Sequence, residues 1–284
     1  MTRSPVIDDS RQAQPDAPAV LASLELELSR YRSLIIAFSG GVDSAVLLAS
    51  AHRVLGERAV ALTADSPSMP RAELQAAREL ADSLGVRHIV ALTSEMERTE
   101  YVTNDRQRCY WCKTTLFETC ERASKDLGIE HVAYGYTADD VGDYRPGHDA
   151  AAEFRVRAPL FDAGLGKKEI RAVARALNLK VWDKPAAPCL SSRIPYGSEV
   201  SIGKLSTIEA MEALLHDLGF PIVRARFDGS TMKIEVPSEE IARVGTSEIW
   251  SQLDGKAREL SVPLLVLDPE GFRSGRLNEV GASA

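Results

Sequence analysis

Apolar runs of strand length alternate with apolar residues at helical spacing through the first two thirds of the chain. Leu34-Ile35-Ile36-Ala37-Phe38 is continuous and rich in β-formers. Val46, Leu47, Ala51, Val54 and Leu55 then recur on one side of a helix opened by Asp43. The alternation repeats. Ala59 to Thr63 reads as a second strand and Pro70 to Leu84 as a helix. Arg87 to Leu92 reads as a third strand, Lys113 to Leu127 as a helix and His131 to Tyr134 as a fourth strand. An amphipathic helix from about residue 18 to Arg32 precedes them, and another runs from Lys167 to Leu177. Arg157 to Phe161 reads as a short extended piece. Strands alternating with helices predict an α/β domain built on a mostly parallel sheet.

The pattern changes near Gly197. A helix over Lys204 to Leu218 is followed by strands at Ile222–Phe227 and Met232–Val236 around the turn Asp228-Gly229-Ser230. Helices over Ser238–Val244 and Ser247–Leu260 and a strand over Pro263–Leu267 complete a smaller α+β unit. The expected division is a loose arm over 1–17, an α/β domain over 18–197 and the α+β unit over 198–284, its tail partly loose. Tyr144 to His148 reads as a loop, and the prolines around Cys189 exclude regular structure there.

Composition adds limits. Of 284 residues, 44% are hydrophobic and 26% charged, which describes a soluble globular chain. No apolar run approaches the roughly 20 residues of a membrane span. No basic-then-apolar leader opens the sequence, so the expected location is cytoplasmic and no membrane partner is expected. The net charge of −7 makes nucleic acid an unexpected partner.

The candidate chemistry lies in three places. Ser39-Gly40-Gly41-Val42-Asp43-Ser44 joins the first strand to its helix. Glycines let backbone N–H groups approach an anion, Ser39 and Ser44 add hydroxyls, and the helix aims its positive end at the same point. Without the Lys of G-x-x-x-x-G-K-[ST], this is a phosphate cradle of another type. Ser66, Gly135 and Asp139 follow the second and fourth strands, at the sheet edge where ligands gather. Cys109 and Cys112 stand three apart beside Arg108 and Lys113, a setting that favours thiolates and a metal or cluster. A thioredoxin-like redox pair fits the position less well. Cys120 falls among Leu116, Ala123 and Leu127 and reads as core. Cys189, in a polar loop with Ser192 and Arg193, reads as a reactive sulfur. Three sulfurs can hold an iron–sulfur cluster with one iron open. Arg224 and Arg226, two apart on a strand, share one face and form a fork for phosphate or carboxylate.

SGGVDS resembles the PP-loop of ATP pyrophosphatases. With RCYWCK, DYRPGHDAA, RVRAPL, CLSSRIPYG and VRARFDG, the chain from about Leu34 onward is similar to the LarE family of ATP-dependent sacrificial sulfur transferases. The resemblance implies ATP and magnesium as cofactors, with Asp43 as the suspected magnesium ligand. It implies adenylation of pyridinium-3,5-biscarboxylic acid mononucleotide and exchange of oxygen for sulfur, in nickel-pincer nucleotide assembly. It places the reactive cysteine at Cys189, and phosphate binding at Ser192, Arg193, Arg224 and Arg226, with a nearby glutamate at Glu212. Holding Cys109, Cys112 and Cys189, the chain looks like the members that carry a [4Fe-4S] cluster and deliver a cluster-bound sulfide. Single-turnover use of Cys189 is the alternative. The resemblance also implies a homo-oligomer, a hexamer in the known pattern. Tyr136-Thr137 stands where the family often has Asn, and Asp228 where it commonly has His. Two other readings are a PP-loop tRNA thiolase and a nucleotide-binding regulator without turnover. The first needs a basic surface; the second binds ATP without releasing pyrophosphate.

Overall fold

A computed structural model describes residues 15–141, 146–185 and 187–273. Most of the expected N-terminal arm, residues 142–143, the first two residues of the expected loop and the tail from 274 lie outside the described residues.

The chain runs α1 (Ala17–Leu28), β1 (Leu34–Ala37), α2 (Val42–Leu55), β2 (Ala59–Asp65), α3 (Arg71–Ser83) and β3 (His88–Leu92). It continues with α4 (Thr99–Val102), α5 (Arg108–Leu127), β4 (His131–Tyr134), α6 (Gly147–Glu153), α7 (Pro159–Asp162) and α8 (Lys167–Ala176). The sheet is parallel throughout, in the order β3-β2-β1-β4. Its strands are covered on both faces, which explains their unbroken apolar runs. Leu34 and Ile36 pack with α1, α2 and α8, while Ile35 and Ala37 pack with Phe117 and Cys120 of α5 and Ala150 of α6. Cys120 is fully buried there, the core position read from its apolar neighbours.

Four expectations need correction. Gly147 and His148, expected in a loop, open α6, where Pro146 precedes the first turn. α1 stops at Leu28, four residues early, where the Ser29 side chain turns back to donate to the Leu26 carbonyl. The segment 157–161 is not extended. Arg157 makes one parallel bridge to Ala133, and Pro159 then starts α7, its fixed φ suiting the first helical turn. α5 begins at Arg108, so both Cys109 and Cys112 are helical.

The second unit contains α9 (Ile202–Asp217), β5 (Arg224–Phe227), β6 (Thr231–Glu235), α10 (Ile241–Val244), α11 (Ser247–Glu259) and β7 (Leu264–Leu267). β5 and β6 form the hairpin, and β7 joins β6 in parallel. Its core extends backward in the sequence, taking in Tyr101, Leu190, Ile194 and Val200. The segments bearing Cys112 and Cys189 therefore pack at the junction of the two cores. Among the described residues no helix is long and apolar enough to cross a membrane.

Candidate active site

The loop after β1 folds as a cradle. Gly40 has φ +72°, and a Cβ there would stand 3.0 Å from Ala77 Cβ, so the turn requires glycine. Ser39 Oγ and Ser44 Oγ lie 3.1 Å apart, and the Gly41 N–H donates to Ser39 Oγ at 3.3 Å. Gly41 caps α2 without a side-chain bond, which leaves first-turn N–H groups for an anion. Gly135 closes the back of the cradle: a Cβ there would meet Ser44 N at 3.1 Å and Asp43 Cβ at 3.2 Å. Asp43 Oδ2 accepts from Lys167 Nζ at 2.5 Å, while its buried Oδ1 has no partner among the described residues. Asp139 Oδ2 accepts from the Lys167 backbone N–H at 2.5 Å. Two carboxylates and one lysine thus meet at the phosphate end. Ser66 is turned inward, donating to Glu95 Oε1 and lying 2.8 Å from Ser68 Oγ.

The Cys189 loop reaches this edge. The Leu190 N–H donates to the Ser68 carbonyl at 2.7 Å, fastening the loop to the segment after β2. Arg193 anchors it from within. Its Nε and Nη2 donate to Glu212 Oε1 and Oε2 at 2.9 Å each, and its Nη1 reaches the Pro188 and Cys189 carbonyls and Ser192 Oγ. These bonds occupy all three nitrogens of Arg193, so here the side chain clamps the loop. Arg226 Nε bonds Glu235 Oε1 at 2.6 Å and its Nη1 donates to the Ser192 carbonyl at 3.1 Å. Arg224 is the least satisfied of the three, bonding the Val223 carbonyl and lying 5.1 Å from the Phe272 ring. Burial, then the Arg193 charge, lowers it to about 10.

A depressed arginine means that the fold disfavours its charged form. That cost is present in full below about pH 10 and falls as pH rises above it. An anion bound there reverses it. Arg224→Gln is therefore expected to leave the free protein's melting temperature unchanged or raised, while abolishing the increase produced by added inorganic phosphate. Equal phosphate stabilisation of both proteins would remove Arg224 from the anion site.

The cysteines differ among themselves. Cys109 is exposed, Cys112 and Cys189 are half-buried, and desolvation pushes the Cys112 thiol up to about 12, with Cys189 and Glu95 adding to the effect. This corrects the expectation that the helix start and basic flanks favour a Cys112 thiolate: desolvation outweighs both. Burial likewise raises Cys120 to about 12. At pH 8, iodoacetamide is expected to label Cys109 and Cys189 well before Cys112 and Cys120, as read by peptide mass spectrometry. Labelling of Cys112 as fast as Cys109 would contradict the burial argument.

A family model for asparagine synthase matches residues 19–116, the stretch that holds the cradle and the first three strands. An uncharacterized protein of Synechocystis is 40% identical over 246 residues, 87% of this chain and 92% of its own. The pyridinium-3,5-bisthiocarboxylic acid mononucleotide synthase of Lactiplantibacillus plantarum is 32% identical over 261 residues, 91% of this chain and 93% of that one. The chain belongs to the LarE family. It is an ATP-dependent sulfur transferase with a PP-loop. One subunit of the glutamine-hydrolyzing GMP synthase of Pyrococcus furiosus is more distant, 24% identical over 64% of this chain and 62% of its own length.

Within this LarE-family site, residues absent from the sequence reading stand out. Lys167 heads α8, where a cation opposes the helix dipole; that wrong-sign charge was a signal, and Asp43 answers it. Asn104, fully buried at φ +57°, bridges the Cys189 loop and α5. Its Nδ2 donates to the carbonyls of Pro195 and Ser198 at 2.8 and 2.7 Å, and its Oδ1 accepts from Arg108. No local pattern announces partners some ninety residues away.

Proposed function

We propose that this chain adenylates the carboxylates of pyridinium-3,5-biscarboxylic acid mononucleotide and replaces one oxygen of each with sulfur. The observation that carries this reading is the direct fastening of the Cys189 loop to Ser68, in the segment after β2, which supports a sulfur-bearing segment at the edge of the phosphate cradle. The likeness to the Lactiplantibacillus pyridinium-3,5-bisthiocarboxylic acid mononucleotide synthase supports it.

In this reading Ser39, Gly40, Gly41 and Ser44 bind the ATP phosphates, and Asp43, with its open buried oxygen, binds magnesium beside Asp139. Ser66 and Gly135 shape the cradle around the nucleotide. Lys167 exchanges its bond to Asp43 for one to the leaving pyrophosphate. A substrate carboxylate oxygen attacks the α-phosphorus, the α–β bridging bond breaks, and pyrophosphate departs. The sulfur nucleophile then adds to the acyl carbon and the carbon–oxygen bond to AMP breaks, leaving thiocarboxylate, AMP and a proton. AMP leaves far more readily than oxide, which is the purpose of the ATP. Arg224 and Arg226 receive the substrate phosphate with Ser192, while Arg193 and Glu212 hold the loop.

Cys109, Cys112 and Cys189 supply three thiols around shared neighbours, Arg108 and Tyr101, each acted on by two of the three sulfurs. Among the described residues no three His, Cys, Asp or Glu side chains converge on one metal ion. A cuboidal cluster makes a different demand, since each thiolate takes a separate iron. In this reading the three thiols would hold a [4Fe-4S] cluster, which when bound would offer a labile sulfide at its fourth iron. Homo-oligomerisation belongs to the same family reading and is open to light scattering.

The test is pyrophosphate release with ATP, magnesium and candidate acceptors. Release is expected to depend on the pyridinium biscarboxylate nucleotide and not on tRNA. Release that requires tRNA would replace this reading with a tRNA thiolase, and release with no acceptor at all would leave the substrate unassigned.

A further inference from the structure

Arg108 is a buried guanidinium without a carboxylate. It is 3% exposed, yet among the described residues no Asp or Glu forms a salt bridge with it. Its hydrogen bonds go to neutral oxygens: Nη1 donates to Asn104 Oδ1 at 2.5 Å and to the Ser191 carbonyl at 2.8 Å. Nε and Nη2 donate to no described residue, and the Tyr196 ring lies 5.5 Å from the guanidinium carbon. A guanidinium this little exposed, with no carboxylate beside it and two nitrogens still open to a partner, is suited to receive an anion.

Its position narrows the choice of anion. Arg108 opens α5, adjoining Cys109 on the helix that also carries Cys112, and it bonds Ser191, two residues beyond Cys189. The guanidinium therefore bridges the two cysteine-bearing segments. The other anions of the reaction have their own partners: the ATP phosphates have the cradle and Lys167, and the substrate phosphate has Arg224 and Arg226. The sulfur reagent remains. It is small, and near neutral pH a large share of it is a monoanion.

We propose that Arg108 is the binding residue for hydrosulfide, holding it on its Nε and Nη2 edge between Cys109 and Cys189. Asn104 is the positioning residue, fixing the guanidinium through Nη1 so that this edge faces the sulfurs. The proposal rests on the sulfur-transfer reading for its physiological meaning, but the anion site itself can be tested without ATP, acceptor or cluster.

The probe is a matched pair of alkylating agents, anionic iodoacetate and neutral iodoacetamide, with anaerobic protein and Cys189 followed by peptide mass spectrometry. The ratio of the two rates cancels the sulfur's own ionisation and reports attraction of a small anion. In the wild type the iodoacetate-to-iodoacetamide ratio at Cys189 is expected to exceed that of free glutathione, and Arg108→Gln should lower it about tenfold. Arg108→Lys, which keeps the charge, should retain most of it. A wild-type ratio no higher than glutathione overturns the proposal without any variant. So does an elevated ratio that survives Arg108→Gln, since the attraction then comes from elsewhere. In sulfide-supported turnover, Arg108→Gln should raise the apparent KM for sulfide while leaving that for ATP alone. An absence of turnover in wild type would count against the sulfur-transfer reading, while the alkylation ratio would still decide the anion site.

Discussion

A Cys189→Ala protein is expected to adenylate its substrate and transfer no sulfur. The side chain lies in a loop held by Arg193, whose bonds to the Pro188 and Cys189 carbonyls and to Glu212 do not involve the sulfur. Truncating it should leave the loop closed and the cradle untouched. Pyrophosphate release in the first turnover is then normal, while thiocarboxylate formation falls by about 10³-fold or more, to the background of free sulfide attack. Both routes to the product need this sulfur, one as a nucleophile that is consumed and the other as a ligand. A variant that still made product at the normal rate would remove Cys189 from the chemistry. One that also lost pyrophosphate release would show the sulfur to be structural.

Asp43→Asn should have the converse effect. The carboxylate pairs with Lys167 through Oδ2 and keeps a buried Oδ1 without a described partner, the arrangement of a cation ligand beside a phosphate cradle. Asparagine keeps the shape but removes the charge that holds magnesium and orients Lys167. Pyrophosphate release should fall by about 10²–10³-fold, with little change in the melting temperature because Asp43 is only partly buried. Normal release by a folded Asp43→Asn protein would confine the carboxylate to a structural role.

Much of the fold could be read because local pattern and tertiary demand agreed. The strand expected at His131 to Tyr134 matches β4, and the β5–β6 hairpin closes on Asp228-Gly229-Ser230 as its turn chemistry implied. Errors came where the local signal was weak. α5 starts five residues before Lys113 with no side-chain cap to announce it, and the extended reading of 157–161 missed that Pro159 suits a helix start. The cradle was legible because its function depends on consecutive residues. The sulfur site was only half legible. Its cysteines were evident, but their ionisation depends on burial, and burial reversed the expectation for Cys112. Arg193 was visible as a cation in a polar loop. Its commitment to Glu212, nineteen residues on, required the fold. Arg108 and Asn104 show the same limit, since their meaning lies in a contact with a loop that the chain reaches only after β4, α6, α7 and α8 are built.

The most direct measurement of the whole account follows sulfur and protein in one anaerobic tube containing ATP, magnesium, excess sulfide and the pyridinium biscarboxylate nucleotide. Mass spectrometry reads the acceptor and the intact chain together. Sulfur is expected in place of one oxygen at each carboxylate, in excess over the protein, with one AMP per sulfur delivered and Cys189 unchanged in mass. Product capped at one sulfur per chain, with Cys189 converted to dehydroalanine, would contradict the renewable sulfur site; AMP formation without any sulfur in the acceptor would contradict the transfer itself.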